Sequence, residues 1–162
     1  MIKVRASLLT AAFLAGTLFP GPLFAGARQE ATVIMSDNPR QAASQDELGY
    51  ASAVVSGDMV YLSRVIAFQA KPDEAMDDSY DRAFRQMGET LVRAGASWDD
   101  VMDMTSYHTD ANGIDALAAV KKRYIAAPHP AWTAVQVAGL LGRNGITEIK
   151  LVARKPGRAG TR

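Results

Sequence analysis

Cysteine is absent from all 162 residues. That excludes disulfides, thiolate metal ligands and a cysteine nucleophile. Histidine is scarce, with only His108 and His129. There is no His-Glu-x-x-His pattern, so no metal site is expected. No Gly-x-Ser-x-Gly elbow occurs. Gly139, Gly142 and Gly145 lie between two expected strands, without the lysine and following helix of a phosphate loop. They read as a hairpin connection, and no cofactor is expected. Neither sign of charge dominates: 18 basic residues face 17 acidic ones. A nucleic-acid surface needs a clustered basic patch, so nucleic acid is not an expected partner. Long apolar runs are also missing. The unbroken apolar or small-residue run, Ala6 to Phe19, has 14 residues, short of the roughly 20 that span a bilayer.

That run fits export better than anchoring. Lys3 and Arg5 precede it, Pro20 to Pro22 break it, and Ala25 and Ala27 satisfy the small-x-small rule. Residues 1–27 are therefore expected to be a cleaved signal peptide. The mature protein would be exported, in the periplasm, with no stable membrane anchor. Its 135 residues suffice for one domain with its own core.

Residues 28–47 are polar and mixed, and read as a linker and irregular lead-in, with Asn38-Pro39 as a turn signal. Residues 155–162 read as a flexible basic tail. Between them the periodicity changes in an orderly way. Tyr50–Val55 and Met59–Phe68 are rich in strand formers, and Ser56-Gly57-Asp58 joins them as a hairpin. Tyr80, Phe84, Met87 and Leu91 form an apolar stripe on a helix over Asp77–Ala94, with Gly95 as its stop. Ser97 to Asp100 resembles a capping turn, and Val101–Thr109 reads as a strand. Ile114, Leu117, Val120 and Tyr124 mark a second helix over Asp115–Ala127, ended by Pro128 and Pro130. Trp132–Ala138 and Glu148–Arg154 are the last strands. In the latter, Ile149, Leu151 and Ala153 share one face while Glu148, Lys150 and Val152 share the other.

The order β-β-α-β-α-β-β predicts an α+β two-layer sandwich, with two helices on one face of a mixed sheet. Tyr61, Tyr107, Trp132 and several valines give the strands more apolar surface than two helices cover. Oligomerisation through the sheet is therefore expected.

Four stretches carry a resemblance: Gly57 to Ser63, Leu91 to Val101, Pro130 to Val135 and Glu148 to Ala153. Together they resemble the Rid (reactive intermediate deaminase, YjgF-like) family over roughly residues 48–154. The resemblance implies a chorismate-mutase-like fold and a homotrimer with small-molecule clefts between subunits. It also implies hydrolysis of 2-imino acids to 2-oxo acids and ammonia. In the family an arginine grips the substrate carboxylate, a glutamate on the last strand positions water, and a tyrosine encloses the ligand. The glutamate corresponds to Glu148, the expected catalytic residue, and the tyrosine to Tyr50. Ser63 matches the serine of a serine-glycine element. The family's arginine position holds Trp132, followed by Thr133, and its glycine position holds Arg64. Tyr50, Ser63, Arg64, Trp132 and Thr133 are the expected substrate-binding set.

A tryptophan cannot pair with a carboxylate, whereas a guanidinium fork can. The departure implies altered specificity. One function consistent with the residues is hydrolysis of an imine, enamine or related C–N substrate. Another is non-catalytic binding of a small molecule in a trimer cleft. Ribonuclease activity, attributed to some relatives, suits a near-neutral chain least.

Overall fold

The computed structural model describes residues 26–141 and 144–156. The expected leader lies outside the described residues except for Gly26 and Ala27, as do residues 157–162 of the expected tail and Gly142 of the glycine-containing loop.

The first elements correct the expected irregular lead-in. Thr32–Ile34 form strand β1, and Pro39–Leu48 form helix α1. The Asn38-Pro39 pair is a helix start. The Asn38 side chain accepts from the backbone N–H groups of Arg40 and Gln41, and Pro39 occupies the first helical position, where no donor is needed. Gly49 ends the helix at φ 70°, while the Tyr50 N–H reaches the Gln45 carbonyl at 2.9 Å. The helix has a weak apolar stripe, which is why periodicity alone misses it.

Strands β2 (Ala53–Ser56) and β3 (Met59–Leu62) form the expected hairpin, with Gly57 at φ 62°. The expected single strand to Phe68 is broken. The chain steps sideways at Ser63-Arg64 and resumes as β4 (Val65–Phe68). Helix α2 (Met76–Arg93) follows as the stripe predicts, with Tyr80, Phe84, Met87 and Leu91 all buried. Each such side chain contributes roughly 1.5–3 kcal/mol by leaving water. Gly95 sits at φ 77°, and the Gly95 and Ala96 N–H groups close back on the Val92 and Leu91 carbonyls. Ser97 and Asp100 form a reciprocal capping box. Strand β5 (Val101–His108), helix α3 (Ile114–Tyr124), strand β6 (Ala131–Gln136) and strand β7 (Gly145–Arg154) complete the chain.

The sheet order is β1-β2-β3-β7-β5-β6, with β4 also paired to β7. Every pairing is antiparallel except β5 with β6, which α3 links as a crossover. Among the described residues three α-helices, rather than the expected two, accompany the mixed sheet. Leu62, Met104, Leu117, Ile149 and Leu151 belong to the single buried cluster between sheet and helices. Phe84, Trp98 and Tyr124 extend it as a contacting aromatic group, with centroids 5.1 to 5.4 Å apart. The opposite sheet face carries Tyr61 and Val135, 45% and 41% exposed.

Candidate functional site

The alternation of β7 places Glu148 and Lys150 on this outer face, while Ile149 and Leu151 fill the core. Glu148 pairs in register with Tyr107 of β5 and Ile66 of β4. The sideways step at Ser63-Arg64 brings a guanidinium across. Arg64 Nη1 donates to Glu148 Oε2 at 3.2 Å, and both side chains are partly shielded from solvent. Around this pair lies a cleft of about 650 Å3. Tyr50, Ser63, Arg64 and Glu148 all line it, as do Tyr61, Tyr107 and Lys150, with Leu140 and Leu141 on the loop before β7. Tyr61, Tyr107 and Lys150 are visible in sequence only as outward positions of strands. Nothing local marks them as cleft residues.

Trp132 and Thr133 are not brought to this cleft within one chain. Thr133 pairs in register with Thr105 and is exposed. Trp132 turns toward the helices instead. Its Nε1–H donates to Ser106 Oγ at 2.9 Å, and Lys121 Nζ stands 4.4 Å from the ring centroid. Burial pushes the Lys121 ammonium below the ordinary lysine value, with Lys122 adding repulsion. An ammonium over an indole face is held by the ring quadrupole, an interaction of about 0.5–2 kcal/mol.

The indole also begins a buried chain of hydrogen bonds. Ser106 Oγ lies 2.9 Å from His108 Nε2, and Thr147 Oγ1 lies 3.1 Å from His108 Nδ1. The Tyr80 hydroxyl is 3.0 Å from Thr147 Oγ1 and 3.3 Å from the Gly113 carbonyl. The two ends fix its direction. An indole N–H can only donate, and a carbonyl can only accept. The arrangement that uses every hydrogen runs Trp132 to Ser106 to His108 Nε2, then His108 Nδ1–H to Thr147 to Tyr80 to Gly113. It requires a neutral His108 with its proton on Nδ1. Burial lowers the His108 pKa in the same sense. His108 is a structural histidine, and nothing places it at the cleft.

Water could enter the cleft and meet the Glu148 carboxylate. Lys150 and Arg64 supply positive charge, and three tyrosines supply flat walls and hydroxyls. Among the described residues no group of histidines and carboxylates could hold a metal ion. A mixed sheet with helices on one face, bearing a carboxylate cleft on the other, defines an α+β protein of the YjgF, chorismate-mutase-like type.

Comparison with known proteins agrees. The family described as Endoribonuclease L-PSP matches residues 40–155. The RutC family protein YjgH of Escherichia coli (strain K12) is 36% identical over 111 residues, covering 66% of this chain and 83% of that protein. A 2-iminobutanoate/2-iminopropanoate deaminase of Dermatophagoides farinae is 30% identical over 107 residues, covering 64% of this chain and 83% of its own length. A solved structure of protein YJGH superposes with a TM-score of 0.66 at 32% identity, covering 80% of this chain and 99% of that one. The chain belongs to the Endoribonuclease L-PSP family, the YjgF and reactive intermediate deaminase group that its sequence motifs resemble.

Proposed function

We propose that this protein hydrolyses an imine, enamine or related C–N substrate, with a specificity that differs from simple 2-imino-acid deamination. The observation that carries the reading is the Glu148 carboxylate held at 3.2 Å by Arg64 inside a cleft of about 650 Å3. Glu148 takes a proton from water as the oxygen adds to the C=N carbon and returns it to the nitrogen, giving an amino alcohol. It then relays the adduct's hydroxyl proton to the nitrogen as the C–N bond breaks, leaving a carbonyl and free ammonia. A positioned carboxylate of this kind contributes about 10²–10⁴-fold. Trp132 cannot grip a carboxylate, and its indole N–H is committed to Ser106. Arg64 takes over that task with the guanidinium N–H groups not bonded to Glu148, while Tyr50 and Ser63 shape the wall.

A second copy completes the site. The cleft opens on the sheet face that carries exposed Tyr61 and Val135, and a homotrimer packed through this face would close it and bring Trp132 and Thr133 of the edge strand near a neighbouring cleft. The basic, apolar and small-residue pattern of residues 1–27 supports export to the periplasm, which fractionation of the full-length chain tests.

The Arg64–Glu148 pair also favours one rival: a trimeric binding protein in which the ion pair simply neutralises the glutamate. Ammonia release from a panel of imines and amides, native protein against Glu148→Ala, separates the two. Release that depends on Glu148 supports the hydrolase. No release, or release indifferent to Glu148, supports binding alone.

A further inference from the structure

The break between β3 and β4 does more than deliver Arg64. Tyr61 pairs with Val152 and Val65 with Ile149, so Leu62, Ser63 and Arg64 face only Lys150 and Leu151 across the ladder. The excess chain bows away and the ladder is interrupted. A second cavity, of about 400 Å3, lies at this interruption between α1, α2 and the β3–β4 line. It shares Tyr50, Leu62, Ser63 and Arg64 with the Glu148 cleft. Arg64 therefore borders both chambers.

The second chamber has its own chemistry. Gln41, Gln86 and Thr90 line one side, and Val65 and Phe68 the other. Among the described residues no carboxylate lines it, and Arg64 is its only cation. Gln45 also reaches it but is committed: its carbonyl accepts from the Ser36 N–H and its amide donates to Ser52 Oγ. Gln41 accepts from Ser36 Oγ, which leaves its NH₂ to donate. The Gln86 side chain bonds to no described residue, so it can both donate and accept.

From this geometry we infer that the chamber is a specificity subsite for an uncharged, carboxamide-bearing chain on the substrate whose C=N carbon lies at Glu148. A carboxamide offers one acceptor and two donors, matching what Gln41 and Gln86 leave unpaired. Its methylenes lie against Val65 and Phe68. An ammonium tail would meet Arg64 and more N–H donors. An alkyl tail would strip water from the two amides and return no hydrogen bond.

This inference rests on the hydrolase reading, so its test has two arms. The 2-imino acids of glutamine and leucine are generated in place with an amino-acid oxidase, and ammonia release is followed. The expected result is a kcat/KM about tenfold higher for the glutamine-derived imine, carried by KM. Gln86→Leu should abolish that preference, raising KM for the glutamine-derived imine and lowering it for the leucine-derived one. No native preference, or one that survives Gln86→Leu, overturns the subsite. Absence of turnover with either imine removes 2-imino acids from the substrates of the hydrolase, and butyramide titration then decides the subsite. Shifts of the Gln86 and Thr90 amide resonances that butyrate does not reproduce uphold it, and their absence overturns it.

Discussion

His108 should make this protein less stable as the pH falls from about 7 toward 5, by a mechanism that its hydrogen bonds specify. In the folded chain it is 2% exposed and held neutral between Ser106 and Thr147. A second proton, on Nε2, would turn the Ser106 bond around. Ser106 Oγ already accepts from Trp132, and its own hydrogen would lose its acceptor. Burial accordingly lowers the His108 pKa from its ordinary value of 6.5. The unfolded chain protonates His108 near that ordinary value, while the folded chain resists. The unfolded state therefore binds more protons in this window, and stability falls as pH drops through it. The steepest slope is about 1.4 kcal/mol per pH unit. Once the pH passes below the folded-state pKa the loss from this group stops. Urea unfolding at several values between pH 8 and pH 5 measures it, with His108→Gln as the control. The native protein should lose stability through the window while the variant's curve stays flatter. Equal slopes would refute the neutral, Nδ1-protonated assignment.

Three further substitutions probe separate parts of the molecule. Trp132→Phe keeps a ring beneath Lys121 but removes the hydrogen donated to Ser106. It should cost about 1–2 kcal/mol in urea unfolding, and an unchanged midpoint would count against the buried chain. Gly95→Ala forces an alanine to φ 77° at the end of α2 and should cost about 1 kcal/mol, read as a lowered melting temperature. Arg64→Ala should change stability by less than about 1 kcal/mol, because the pair is partly solvated, yet weaken pyruvate binding about tenfold by calorimetry. Unchanged pyruvate affinity would remove Arg64 as a carboxylate holder.

Much of the fold can be read from residue order because the strong signals are local. The stripe from Tyr80 to Leu91, the Gly57 turn, the Ser97–Asp100 box and the alternation of β7 each depend on neighbours within a few residues. Helix α1 escapes because its face is polar and its evidence is confined to its caps, Asn38-Pro39 and Gly49. The break at Ser63-Arg64 escapes for another reason. Residues Met59–Phe68 are uniformly good strand formers, and only the pairing with β7 shows that three residues stand against two.

The site divides along the same line. Tyr50, Ser63, Arg64 and Glu148 line one cleft, and the direct Arg64–Glu148 pair depends on residues 84 positions apart and leaves no local trace. Trp132 is conspicuous in sequence as a replacement for an arginine. Its orientation toward Ser106 depends on the parallel β5–β6 register, which aligns Met104 with Trp132 and Ser106 with Ala134.

Glu148→Gln tests the central claim most directly, because it keeps the size of the side chain and its ability to hydrogen-bond while removing its capacity to take a proton from water. With the imine of the panel that the native protein turns over fastest as substrate, kcat/KM for ammonia release should fall at least about 100-fold with the fold intact by circular dichroism. A variant that releases ammonia as fast as the native protein would contradict the assignment of Glu148 as the residue that activates water.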